Sequence, residues 1–290
     1  MIALAALIVE AALGYPRRWW HPVMGVGALI GGFERRCNRR RRLEGVALVV
    51  VLVALSVVLG LAIERLGTVV TVLVATTGLA QRSLHDHVAA VASPLAAGDL
   101  GAARSAVAMI VGRDTHALDE AGVATAAIES LAESFCDGVV APALGLVLFG
   151  LPGLFVVKAI NTADSMVGHR TRELGAFGWA AAKTDDVVNF VPARISGVLI
   201  ALAGRGGWRD MRRDARHHAS PNGGWPEAAM AGALGRRLGG VVSYDGEPAH
   251  RAVLGDGPRP DAGDLMRALT IYRTACLLLW IFVGLVAWLQ

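Results

Sequence analysis

Aromatic residues make up only 6% of this 290-residue chain and charged residues only 18%. Lysine is almost missing: of 28 basic residues only Lys158 and Lys183 are lysines, and both fall in one stretch. So little charge excludes an ordinary soluble composition, and with 54% hydrophobic residues and a mean hydropathy of +0.50 the chain reads as a membrane protein with substantial polar parts. Its three cysteines, Cys37, Cys136 and Cys276, are too dispersed for metal-ligand spacing or a disulfide framework, which fits a reducing compartment. The net charge of +4 comes from arginine clusters. With few aromatics and no nucleic-acid module, these read as cytoplasmic-side markers beside a lipid bilayer, and nucleic acid is excluded as a partner. No GxxxxGK[ST] loop is present, so a nucleotide is not held in the P-loop way. No cleavable signal is expected, because the first apolar run carries Glu10 and leads into Gly14-Tyr15-Pro16-Arg17-Arg18.

What is present is a series of apolar runs. Membrane helices are predicted near 2–14, 46–63, 66–80 and 274–289, the second being eighteen residues without a charge. Trp19 and Trp20 beside Arg17 and Arg18 suit an interfacial anchor, and His21-Pro22 reads as a turn. Segments 138–157 and 191–203 are broken or short, the first at Gly150-Leu151-Pro152-Gly153, and are read as re-entrant or embedded. That leaves 81–137, 158–190 and 204–273 on the cytoplasmic side. The fold class is therefore all-α: a polytopic integral membrane protein with a helical cytoplasmic part and an active site at the membrane edge. Within the cytoplasmic part, Asp114 or Thr115 is the expected N-cap of the helix that follows, His85-Asp86-His87 reads as a solvated helix start, and 239–264 reads as a loop with short β-prone pieces.

The polar residues that demand explanation sit beside apolar runs, where such groups are costly to place. Asn161, Asp164, Lys183, Asp185, Asp186, Asn189 and Arg194 lie between two of them. Glu129, Glu133 and Asp137 recur every fourth residue, which stacks them on one helix face about 6 Å apart per step. A solvated stripe would tolerate that, but the helix runs straight into apolar sequence, and Mg²⁺ with its taste for a few carboxylates plus phosphate oxygens would relieve it. The turn-rich Ser220-Pro221-Asn222-Gly223-Gly224 opens a small-residue helix whose backbone N–H groups can hold an anion.

Four blocks, HPVMGVGALIGGFER, GRDTHALDEAGVATAAIESLAESFCDGVVAP, KAINTADSMVGHRTRELGAFGWAAAKTDDVVNFVPARISGVLI and HHASPNGGWPEAAMAGALGRRLGG, resemble the successive motif blocks of the CobD/CbiB family, the adenosylcobinamide-phosphate synthases of cobalamin biosynthesis. The resemblance covers nearly the whole of 1–290 as one membrane domain. Phe135-Cys136 departs mildly from the small polar residues usual before Asp-Gly. The resemblance implies an inner-membrane, multi-pass enzyme whose active site faces the cytoplasm. It would join adenosylcobyric acid, an adenosylated corrinoid, to (R)-1-amino-2-propanol phosphate at the expense of ATP with Mg²⁺, through an acyl phosphate. Homo-oligomers and association with other enzymes of the pathway stay open. The roles assigned on this basis are Glu133, Asp137 and Asp164 for the metal, and Lys158, Lys183, Arg113, Asn189 and Arg194 for nucleotide and phosphates. Asp185 or Asp186 is the base, with Asn161, Asp164 and Glu129 in the catalytic set, and Ser220, Asn222, Gly223 and Gly224 hold an anionic substrate group.

Two other readings compete. Asn161-x-x-Asp164 with Asp185-Asp186-x-x-Asn189 loosely resembles the paired acids of membrane prenyltransferases, whose spacing this chain does not keep. A non-catalytic, AmpE-like membrane sensor on the same scaffold is the other, against which stands the joint presence of Asp137, Asn161, Asp164, Asp186 and the SPNGGWP loop.

Overall fold

The structure, a computed structural model, describes residues 1–15, 20–169 and 171–289. Arg17, Arg18 and Trp19 of the expected interfacial anchor lie outside the described residues. In chain order the helices are α1 (Ile2–Leu13), α2 (Pro22–Cys37), α3 (Arg42–Glu64), α4 (Thr68–Thr76), α5 (Gln81–Ala96), α6 (Leu100–Val107), α7 (Glu120–Phe135), α8 (Ala141–Val167), α9 (Trp179–Val188), α10 (Phe190–Ala203), α11 (Trp208–Asp214) and α12 (Gly224–Leu234). A hairpin, β1 (Leu238–Tyr244) and β2 (Glu247–Leu254), precedes α13 (Ala262–Leu289). The protein is an all-α polytopic membrane protein carrying one two-stranded sheet. Two compact units divide the chain: 1–80, 137–189 and 283–290 form the first, and 81–136 with 190–282 the second.

In the first unit α3 is long enough, at about 34 Å, to cross a hydrocarbon core. Only a narrow stripe of it is buried, Gly45, Leu48, Leu52, Ser56 and Gly60, and much of the rest between its charged ends is apolar and exposed. Between apolar helices in lipid there is little hydrophobic drive, so small residues that let backbones touch do the packing. A Cβ on Gly60 would strike the backbone of Pro152, and one on Gly45 the carbonyl of Phe177. Ile30, Leu48, Leu52, Ala159, Ala163, Val167, Phe177 and Ala181 join α2, α3, α8 and α9 in one core.

Helix α8 folds back on itself. Gly150 adopts φ 66°, which only glycine takes without strain, and a Cβ on Gly145 would lie 2.9 Å from the carbonyl of Gly153. A straight helix would hold residues eight apart at about 12 Å, so the chain reverses at Gly150. Glu64, at the end of α3, accepts a hydrogen bond from Leu151 N at 2.8 Å and so caps the second limb. The expected membrane helix over 66–80 is shorter than predicted. It covers only Thr68–Thr76, about 14 Å. Thr76 and Thr77 turn their hydroxyls onto Leu73 O and Val74 O, and a Cβ on Gly78 would run into Leu154. His21-Pro22 is a helix start: His21 Nδ1 accepts from Val23 N at 3.2 Å, with proline at the first helical position.

In the second unit α7 is buried on nearly every side. Its N-cap is Asp119, which accepts from Gly122 N at 2.8 Å and pairs with Arg259. Asp114, the expected cap, is engaged elsewhere. It accepts from Ser243 Oγ at 2.6 Å and Gly246 N at 2.8 Å, and its own N–H reaches Ser243 O. The predicted loop over 239–264 is thus largely a β-hairpin with a two-residue Asp245-Gly246 turn, both at positive φ. A lone two-stranded hairpin is marginal in water, and these bonds to Asp114 are part of what holds it. Tyr272 and Trp280 of α13 donate to Gln81 O (2.8 Å) and Gln81 Oε1 (2.7 Å). Asp261 and Asp264 cap each other at the start of α13, and Asp264 also binds Arg236.

Candidate functional site

Helices α8 and α9 of the first unit bring together residues 21 or more positions apart in sequence. Asn161 and Asp164 share one face of α8, Asp185 lies on α9, and Asn189 is the C-cap of α9. Asn189 Nδ2 donates to Asp185 Oδ1 at 3.0 Å, Asn161 also hydrogen-bonds to Asp185, and Asp164 stands close enough to act on it electrostatically. Asn189 is buried, and its Oδ1 accepts no hydrogen bond among the described residues. Such an orphan acceptor, next to two carboxylates, is a set of hard oxygens that fits Mg²⁺. Among the described residues no three His, Cys, Asp or Glu side chains form a metal cage, so an ion held here would draw further oxygens from a substrate. Asp186 lies at the surface side of this group, bridged to the exposed Lys183 at 2.8 Å. Lys158 does not join these hydrogen bonds and instead lines a cavity.

The predicted stripe of Glu129, Glu133 and Asp137 is interrupted. Cys136–Val140 forms a π-helical turn, whose five-residue hydrogen bonding breaks the four-residue repeat just before Asp137. Asp137 acts on Lys158 in the first unit. Glu129 and Glu133 belong to a cluster in the second.

That second cluster is the densest set of buried charge among the described residues. Glu129, 1% exposed, pairs with the guanidinium of Arg113, accepts from Gly239 N at 2.7 Å, and lies 3.4 Å from Arg251 Nη1. Arg251 on β2 also donates to Glu227 Oε1 at 3.0 Å and meets His218 Nε2 at 3.1 Å. Four separate stretches of chain converge: the loop before α7, α7 itself, the start of α12 and the hairpin. Burial holds His218 below its ordinary value of 6.5, with Glu133 pulling the other way. Burial also pushes the Glu227 carboxyl up, against the pull of Arg251. Arg113 and Glu129 are thus committed to one another. His218, Glu227 and Arg251 carry no role in the sequence reading, although His218 and Glu227 flank the SPNGGWP loop. Arg251 sits in the stretch taken for a loop, and only a hairpin could have signalled it.

The loop after His218 is a small self-capped turn. Ser220 Oγ accepts from Asn222 N (3.2 Å) and Gly223 N (3.3 Å), and Ser220 N donates to His218 Nδ1 at 3.1 Å. Two of the donors expected to face an anion are therefore already used. Gly224 is required by contact: a Cβ there would strike the Ala215 carbonyl. Arg194 on α10 closes this corner, donating to Asn222 Oδ1 at 3.2 Å and lying over the rings of Phe190 (3.4 Å) and Trp225 (4.8 Å).

The family model described as "CobD/Cbib protein" matches residues 3–272. The "Cobalamin biosynthesis protein CobD" of Rhodobacter capsulatus is 48% identical over 301 residues, spanning 98% of this chain and 96% of its own. Proteins of the same name from Brucella anthropi (44% over 300 residues, 94% and 92% covered) and Geobacter metallireducens (41% over 297 residues, 96% and 93%) are similar too. No solved structure matches. Both the length of the match and the level of identity lead to one conclusion: the chain belongs to the CobD/CbiB family.

Proposed function

We propose that this chain works in cobalamin biosynthesis as an adenosylcobinamide-phosphate synthase, joining adenosylcobyric acid to (R)-1-amino-2-propanol phosphate with consumption of ATP. The observation that supports this reading best is the oxygen-rich cluster of Asn161, Asp164, Asp185 and Asn189, held on two helices of a chain related end to end to proteins named for cobalamin biosynthesis. A carboxylate is a poor electrophile, so the corrinoid acid must first take up the γ-phosphoryl group of ATP, giving an acyl phosphate and ADP. The free amine then attacks the acyl carbon, phosphate leaves, and the proton of the attacking nitrogen passes to a base.

Asp164 and Asn189 would hold Mg²⁺ together with substrate oxygens, and the ion when bound would offset negative charge on phosphate oxygens. Asp185, or Asp186 beside it, serves as the base for the ammonium, and Asn161 orients Asp185 by its hydrogen bond. In the second unit Arg194, fixed between two aromatic rings and Asn222, is the cation for a phosphate, and Ser220, Gly223 and Gly224 shape the turn around it. The Arg113–Glu129–Arg251 network has its charges mutually satisfied, so Glu129 and Arg113 position the hairpin and the start of α12. The oxygen cluster of the first unit would face the cytoplasm of the bacterial inner membrane, where ATP and the corrinoid meet.

Purified protein with corrinoid acid, aminopropanol phosphate, ATP and Mg²⁺ should yield the amide, detected by mass spectrometry, and omission of ATP should stop it. Asp164→Asn should remain folded in detergent and lose turnover. Full turnover by that variant would take Asp164 out of the site, and no product from wild type would favour a non-catalytic membrane protein.

A further inference from the structure

Between α2, α3, α4 and the second limb of α8, all in the first unit, lies a cavity of about 420 Å³. That is inside the ~300–1,000 Å³ typical of ligand pockets. Side chains such as Val26, Leu29, Leu55, Leu59, Leu154 and Phe155 wall it, and Lys158 is the one charged residue that lines it among the described residues. Among the described residues Lys158 Nζ makes no hydrogen bond and no ion pair there; Asp137 and His21 interact with the lysine electrostatically. Thr77, which also lines the cavity, has given its hydroxyl to Val74 O. An ammonium facing apolar walls without a partner costs several kcal/mol, so the cavity asks for an anion with a long apolar body.

The walls say where such a molecule comes from. Leu55 and Leu59, 43% and 54% exposed, lie off the buried stripe of α3, on the surface that meets acyl chains. The cavity is therefore continuous with the lipid-facing side of a membrane helix. A single cation suits a single-charge headgroup; a diphosphate would need more. We infer that this cavity holds one anionic membrane lipid, an acyl chain lying in the space walled by α2, α3, α4 and α8 and its phosphate on Lys158. This assignment does not depend on the proposed reaction.

Wild-type protein in mild detergent is titrated with dioleoyl phosphatidylglycerol and, separately, with dioleoyl phosphatidylcholine, and bound lipid is read by native mass spectrometry. The anionic lipid should bind about fivefold more tightly, the effect of one lysine on an anionic headgroup. Lys158→Gln should abolish that preference and Lys158→Arg keep it. Leu59→Trp, which fills the cavity and leaves the lysine in place, should weaken both lipids. Equal retention of the two lipids by wild type overturns the assignment, as does an undiminished preference in Lys158→Gln. Displacement of phosphatidylglycerol by an equal concentration of inorganic phosphate overturns it in favour of a free-anion site. Should Lys158→Gln fail to fold, unchanged phosphatidylglycerol binding by Leu59→Trp overturns it alone.

Discussion

Arg251 and Glu129 stand 122 residues apart in sequence and 3.4 Å apart in space, one on a β-hairpin and the other on the buried helix α7. The same guanidinium reaches Glu227 and His218, so one side chain ties three elements of the second unit. Removing it leaves buried Glu227 without its guanidinium, while Glu129 keeps Arg113. Arg251→Ala should cost about 3 kcal/mol of stability, the lower end for breaking a buried pair, read as thermal unfolding in detergent. Arg251→Lys should recover only part, because an ammonium lacks the fork that serves several acceptors. Unfolding temperatures within error of wild type for both would show that the network does not hold the hairpin.

His218 gives the second unit an acid limb. Its folded value is depressed by burial, so the folded protein binds the proton less readily than the unfolded chain. Its contribution is therefore complete above the ordinary value of 6.5 and is lost as pH falls below it. As pH falls from about 7.5 to 5.5 the unfolding temperature of wild type should drop relative to that of His218→Gln, which cannot take up the proton. A gap between the two proteins that stays constant over that range contradicts this.

The reversal in α8 rests on Gly150 and its cap. Gly150→Ala would force a Cβ into positive φ and against the Glu64 carboxylate, and should cost about 1–3 kcal/mol. Glu64→Ala, which removes only the cap on Leu151, should cost about 1 kcal/mol. Chemical denaturation in detergent ranks the two; a Gly150→Ala protein as stable as wild type would contradict the strained turn.

How far these features could be read from sequence differs by their origin. Apolar length gave α3 and α13, and the Gly-Leu-Pro-Gly break gave the fold-back in α8, because each is a local property. The Asp164–Asp185 grouping was legible for the same reason, as polar residues out of place beside apolar runs. Three things were not local. Asp114 caps a hairpin turn more than 120 residues away, so its promise as a helix cap was misleading and Asp119 took that place. The π-turn at Cys136–Val140 leaves no residue signature, so the repeat of Glu129, Glu133 and Asp137 looked unbroken. Arg251 gains its meaning only once β2 is paired with β1.

Orientation is open to direct labelling. Ala219, exposed at the turn before α12, can be made the sole cysteine after Cys37, Cys136 and Cys276 are replaced. A membrane-impermeant maleimide should then label Ala219→Cys in inverted vesicles and not in intact cells. Labelling of intact cells would place this turn outside.

The claim that ATP activates the corrinoid carboxylate is tested most directly by labelling both oxygens of that carboxylate with ¹⁸O and following one turnover by mass spectrometry. Activation through an acyl phosphate sends one labelled oxygen into inorganic phosphate and leaves the other in the product amide. Unlabelled phosphate formed alongside the amide would contradict that account.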